Sequence, residues 1–307
     1  MKHIKEYNGF FNLNESGGGL SQDAIELLDR CAKKRWRLDH RGYVDVRGDF
    51  ICTVPRTEFS SGLTSLKGIR FGRVTGDFNV DNNSLSTMNG FPEEVGGNLV
   101  ASYNKIKSLK GGPKKVGFNY AVTGNKLTSL EGAPESINGS FSCSYNKLST
   151  LKNGPMSVEG SFICTGNLLE NLVGSPKVVG EDLFVSDNDL RTLDGAPNTI
   201  GGRLVADNDK TGVYLEVDYG MWNFEGLLKT LTRLEKEGEH KASNLLLTYL
   251  THNKITDEIR KNPVETMLLL KKVWGDPVFD KMRDKVHFPQ GFRDEMDLLG
   301  DLDNIGL

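Results

Sequence analysis

Residues 78–203 repeat a 21-residue unit six times without an insertion, and this period restricts the chain to a narrow set of folds. Asparagine recurs at Asn83, Asn104, Asn125, Asn146, Asn167 and Asn188. Proline recurs at Pro92, Pro113, Pro134, Pro155, Pro176 and Pro197. Two apolar columns keep the same step: Leu85, Ile106, Leu127, Leu148, Leu169 and Leu190, then Met88, Leu109, Leu130, Leu151, Leu172 and Leu193. Self-similarity at a fixed period of roughly 20 to 50 residues marks a solenoid, in which each coil buries its apolar face only by stacking on its neighbours.

One repeat, residues 134–151, shows what a coil must do. Ile137, Gly139, Phe141 and Cys143 alternate with polar residues, which predicts one strand with a single face in the core. The equivalent inward positions are Leu99 and Ala101, Tyr120 and Val122, Phe162 and Cys164, and Leu183 and Val185. Such a strand pairs in parallel with its copy one coil away, at about 4.8 Å. The chain then turns at the Asn, and an N-x-L-x-x-L step sends two more apolar side chains inward. The G-x-P stretch that follows blocks a helix, because proline lacks a donor and glycine frees the backbone, so the return is expected to be short and non-helical. The Asn at the turn is suited to bond backbone groups of its own and neighbouring coils. Cys143 and Cys164 share one inward column and read as small buried hydrophobes.

Composition narrows the function. The 307 residues carry a net charge of −3, so no global basic field is available for nucleic acid or an anionic membrane. No apolar run is long enough to span a bilayer, and the opening residues lack the apolar core of a secretory signal. The four cysteines, Cys31, Cys52, Cys143 and Cys164, are too few for a disulfide framework in a chain of this length, which suits a reducing interior.

The flanks divide the remainder. Residues 1–20 read as a flexible peptide ending in Gly17-Gly18-Gly19. Residues 21–77 read as a Ser21-capped helix over 22–36, with Ala24, Ile25, Leu28, Cys31 and Ala32 on its buried side, then a strand at 43–54 in a degenerate coil that caps the array. That helix ends in Lys33, Lys34, Arg35 and Arg37, a basic run that suits a helix C-terminus. Arg47-Gly48-Asp49 matches an adhesion tripeptide, and chance accounts for it inside a capping strand. Residues 78–210 form the solenoid. In residues 211–307 the pattern turns helical, after one closing strand within 213–219. The expected helices start near 223, at Asn262-Pro263 and at Asp276-Pro277, and an acidic tail follows at 294–303.

The outward side of the sheet is where a partner would dock. Ser102, Ser144 and Thr165 supply small hydroxyls there, flanked by Tyr103, Tyr145, Ile163 and Phe184, whose rings and branched chains offer contact area at low entropic cost. Lys105, Lys126 and Lys147 stack in one column and could grip an anion or an acidic partner. Asp187-Asn188-Asp189 lacks the spacing of a calcium loop. His3, His40, His240, His252 and His287 share no metal-ligand spacing, and no nucleophile elbow or phosphate loop is present. No cofactor and no metal are therefore expected.

The string Tyr145-Asn146-Lys147-Leu148-Ser149-Thr150-Leu151 resembles the N-x-L-x-x-L signature of leucine-rich repeats. The fuller unit at 128–146, with the K-R-W and V-D-V-x-G-D-F segments within 34–50, resembles repeat proteins encoded by large tailed bacteriophages. The resemblance covers about residues 21–210 and implies a β-rich, leucine-rich-repeat-like solenoid with a parallel sheet and an N-terminal helical cap, to which the helical period of residues 211–307 adds a C-terminal α-helical domain. It also implies a non-enzymatic protein-interaction scaffold, virion-associated or in the host bacterial cytoplasm. An alternative is a host-directed effector that inhibits a bacterial protein, and a third is an enzyme within the C-terminal helices. Secreted effectors with similar repeats carry a cysteine-dependent ligase behind them, but no cysteine follows Cys164 here. Residues 1–15, with Tyr7, Phe10 and Glu15, resemble phage head-targeting peptides, and Leu13-Asn14-Glu15 resembles a prohead-protease site cut after Glu15. Oligomers are expected to form, if at all, through the solenoid ends, where strand edges are open.

Overall fold

The computed structural model describes residues 19–53, 62–208 and 211–255, with positions 258, 261, 266, 269 and 270. The expected head-targeting peptide with Glu15, the expected helix at 276 and the acidic tail lie outside the described residues, and of the expected helix at 262 only positions 266, 269 and 270 are described, all three helical.

The repeats stack as a parallel-sheet β-solenoid, and each coil contributes two short strands rather than the one the alternation predicts. In the coil at 134–151 these are Ser136–Ile137 and Phe141–Ser142. The second strand of every coil joins one nine-stranded sheet, while the first strands form a five-stranded and a four-stranded sheet on the other side. The register is strict: Phe141 lies beside Tyr120 and Phe162, and Ile137 beside Val158. The chain bends between the two strands, and there a Cβ on Gly117 would run into the Gly96 carbonyl, and one on Gly201 into that of Gly180. The alternation does not carry through the bend: Phe118, at the position of Gly139 one coil earlier, is exposed, and inward pointing resumes at Phe141.

The core is a set of columns along the stacking direction. Phe50, Phe78, Leu99, Tyr120, Phe141, Phe162, Leu183 and Leu204 are all fully buried in one of them. Their rings meet face to face or tilted, with centroids 5.1 Å apart for Phe50 and Phe78 and 5.7 Å for Phe141 and Phe162. Each such side chain contributes about 1.5–3 kcal/mol by leaving water. The Tyr120 hydroxyl finds the Met88 sulfur at 3.5 Å. Cys143 and Cys164 are buried free thiols, as expected for small hydrophobes.

The asparagine column holds the turns. The Asn146 amide donates to the carbonyls of Cys143 and Ser144 in its own coil, at 3.0 and 3.1 Å, and of Val122 in the coil before, at 3.0 Å. Its Oδ1 accepts the Leu127 N–H at 2.9 Å. Asn104, Asn125, Asn167 and Asn188 repeat the pattern of bonds to their own and the preceding coil. One side chain thus satisfies buried donors and acceptors that no ladder reaches.

The ends differ from the repeats. The first helix, α1 (Gln22–Cys31), is shorter than predicted because Lys33 and Lys34 take left-handed φ values of 51° and 61°, and Trp36–Leu38 then pairs antiparallel with Val44–Val46. The Ser21 hydroxyl caps α1, and a disulfide between Cys31 and Cys52, a pairing not foreseen from cysteine number, ties it to the first coil. The predicted strand at 43–54 is likewise two strands, Val44–Val46 and Phe50–Ile51. At the other end Glu216–Val217 closes the long sheet antiparallel to Leu204–Val205. Two helices follow, α2 (Phe224–Glu237) and α3 (His240–Leu250), anchored by the Trp222 indole on the Pro197 carbonyl at 2.9 Å and by Arg233 on the Glu216 carbonyl at 2.7 Å.

Replacing Asn146 by Ala strands several buried carbonyls and one N–H, and is expected to lower unfolding free energy by about 2–4 kcal/mol in urea titrations, whereas Lys147→Ala changes it by less than about 0.5 kcal/mol. Burial pushes the Cys143 thiol well up and raises Tyr120, and burial aided by Asp194 pushes Tyr249 up to about 12. Folding therefore favours the protonated forms, so stability is full below the unfolded thiol value of about 8.5 and falls as pH rises past it, then past about 10 for the tyrosines. Urea midpoints between pH 7 and 11 check this; a midpoint that does not fall above pH 9 would contradict it.

Candidate interaction surface

The outer face of the long sheet is built from three columns; one lateral column bonds backbone throughout and the other does so in part. On one side Asp49, Asp77, Asn98, Asn119, Ser140, Ser161 and Asp182 each accept the N–H of the equivalent residue one coil on, from 2.7 Å at Asp77 to 3.4 Å at Ser161. The sequence reading missed this second ladder. Its signal was present as a column of small acceptors, and it gives the Asp of Arg47-Gly48-Asp49 a structural task. On the other side the Ser102 hydroxyl accepts the Thr123 N–H at 3.2 Å, and that of Ser186 accepts the Asp207 N–H at 3.2 Å.

Burial corrects part of the expected site. Ser102 and Ser144 are 6% and 4% exposed and offer no surface to a partner. The chain begins its turn toward the core at these positions, and the Asn104 and Asn146 amides take their carbonyls. Thr165, Ile163 and Phe184 are half-buried. Ile163 and Phe184 belong to the central column with Val100, Ala121, Ser142 and Val205, a shallow and mostly apolar strip over which the Arg203 guanidinium sits 5.9 Å from the Phe184 ring.

Tyr103 and Tyr145 are the exposed members, at 42% and 59%. Both adopt left-handed backbone, φ 51° and 53°, at a turn where the other coils place Asn82, Gly124, Gly166 and Asp187. Glycine, asparagine and aspartate tolerate that region, whereas a tyrosine is strained in it. The rings lie on the glycines of the next coil: a Cβ on Gly124 would come within 2.8 Å of Tyr103 Cδ1, and one on Gly166 within 2.6 Å of Tyr145 Cδ1. Tyrosine and glycine therefore alternate along the corner, with the two rings two coils, or about 9.6 Å, apart.

Lys105, Lys126 and Lys147 stand beside these rings, one per coil and exposed, fixed by N–H bonds to the Leu85, Ile106 and Leu127 carbonyls. None of the three makes an ion pair among the described residues. Farther along the corner the same column continues with Leu168 and Asp189, so its charge changes sign. Phe118, 61% exposed on the opposite bend where neighbouring coils carry Gly97 and Gly139, is an aromatic that sequence reasoning did not single out. Its position coincides with the gap between the five-stranded and four-stranded sheets.

No protein-family model, no curated protein and no solved structure matches this chain.

Relieving the turns tests whether the tyrosines are held there at a cost to the fold. Tyr103→Asn and Tyr145→Asn are each expected to raise unfolding free energy by about 1 kcal/mol, measured by thermal and urea melts. Melts that fall instead would show that the rings stabilise the coils they cover.

Proposed function

We propose that this chain is a non-enzymatic protein-interaction scaffold that docks a partner on the Tyr103–Tyr145 corner and the adjoining strip of Ile163 and Phe184. The observation that carries this is the pair of exposed tyrosines kept in a strained conformation at a turn that other coils fill with Gly, Asn or Asp. Strain retained beside solvent points to a task outside the fold. Lys105, Lys126 and Lys147 favour a partner with acidic residues next to its apolar contact, and the ordered ladders beneath offer a preformed surface that loses little freedom on binding.

We further propose that α1 with its antiparallel strand, and α2 with α3, act as caps for the ends of the array, and that the coils are kin to leucine-rich repeats. Both ends carry an antiparallel strand, which closes edges that open parallel strands would leave for aggregation. The N-x-L-x-x-L string supports the kinship. The likeness of the repeat unit and of residues 1–15 to phage proteins supports a phage-encoded, virion-associated role. Intact-mass measurement of the protein from purified virions and from infected-cell lysate tests this role. Presence in particles, with an N-terminus at Ser16, is the expected result. Full-length protein confined to lysate would overturn the virion role and point to a host protein as partner.

A photo-crosslinking residue placed at Tyr145 tests the surface itself. It is expected to capture one discrete partner, and Tyr103→Ala with Ile163→Ser should abolish the adduct. Capture unchanged in that variant would contradict the assignment.

A further inference from the structure

The described residues contain a second feature, remote from the tyrosine corner. A cavity of about 480 Å³ opens between the end of α1 and the first strands of the five-stranded sheet, lined by Lys34, Arg35, Arg37, Arg47, Arg73 and Thr75, with Trp36 and Val46 in its wall. Five cations converge there against the single carboxylate of Asp45, in a chain whose net charge is −3. That carboxylate is already engaged: it accepts the Arg73 backbone N–H at 3.0 Å and meets the Arg37 guanidinium at 3.6 Å. Arg73 is paired with Glu94 at 3.3 Å. Arg35 and Arg47 make no ion pair among the described residues.

The positions of these cations run against what the fold alone would favour. Trp36 is registered on Val46, and the Arg47 N–H donates to the Arg35 carbonyl at 2.8 Å, so two arginines stand opposite each other across an antiparallel pair. Like charges at directly opposed positions destabilise a sheet unless something neutralises them. The approach to the cavity is strained as well, since Lys33 and Lys34 are consecutive residues in left-handed backbone, and that turn brings the chain from α1 to Arg35. The Arg35 guanidinium then lies across Gly48, whose N–H donates to the Thr75 hydroxyl at 2.8 Å and leaves that hydroxyl's own proton for an acceptor in the cavity.

We propose that this cavity is a binding site for a compact ligand carrying several phosphate groups. Guanidinium forks match phosphate oxygens two at a time, and opposed arginines become favourable when an oxyanion bridges them. The volume suits a small molecule of nucleotide size. The shape argues for a compact ligand over a nucleic-acid strand: the cations face one concavity and form no stripe along which a backbone could run.

Calorimetric titration of the full chain with tripolyphosphate, with orthophosphate and with a single-stranded oligonucleotide tests the proposal. Tripolyphosphate should bind at one site per chain, more tightly than orthophosphate, and weaken as salt is raised. Arg35→Gln with Arg47→Gln should reduce that affinity by roughly tenfold or more, because charge-assisted bonds to phosphate are lost. The same variant, measured without ligand, should melt no lower than the parent, since it relieves the opposed charges. Lys105→Gln, Lys126→Gln and Lys147→Gln together should leave tripolyphosphate binding unchanged. No binding at millimolar tripolyphosphate, or equal loss in both variants, would overturn the site. An oligonucleotide that binds more tightly than tripolyphosphate at equal phosphate concentration would replace the compact ligand by nucleic acid.

Discussion

The asparagine at each turn is the interaction on which the rest depends. A coil of 21 residues with two-residue strands cannot satisfy its backbone by ladders alone, because much of each coil is bend and turn. In its fullest form one amide reaches three carbonyls and one N–H in two coils, and so converts a weakly paired coil into a fixed link. With the turn fixed, N-x-L-x-x-L brings its apolar pair inward, and the buried aromatic column can stack at coil spacing. Loss of one amide would expose polar backbone on both sides of it, which is why no second residue type replaces Asn from Asn83 to Asn188.

The surface inherits its order from the same arrangement. A second ladder of Asp, Asn and Ser side chains consumes backbone N–H groups on the outer face, and what remains outward is the strip between the ladders and the corner beyond them. At the corner each residue must accept left-handed backbone, so its identity reports a compromise. Gly124 and Gly166 meet the backbone requirement, and Tyr103 and Tyr145 do not. Because the tyrosine rings spread over those glycines, the two residue types are coupled across coils, and neither would be interpretable from its own repeat.

The repeat made the solenoid, the asparagine column, the inward apolar positions and the buried thiols legible before any coordinates. Other features were not, for identifiable reasons. The bend that splits the strand falls at the position of Gly139, which the alternation counts as inward; only the structure shows that this position turns outward, where Phe118 stands one coil earlier. Ser102 and Ser144 alternate as outward residues, yet the turn that follows draws them under the corner. The basic run at Lys33–Arg37 reads from sequence as a helix end. Arg47 and Arg73 join it only because the sheet brings three distant segments to one place. Cys31 reads as buried on the first helix, but pairing it with Cys52 required knowing that α1 packs on the first coil.

If the asparagine ladder binds the coils into one cooperative unit, hydrogen exchange under native conditions should show it directly. The amides of Ile106, Leu127, Leu148 and Leu169, which donate to the Oδ1 atoms of the ladder, should exchange only through global unfolding and share one free energy of opening. A graded series, with protection falling coil by coil toward either end, would contradict the account and make each coil's stability its own.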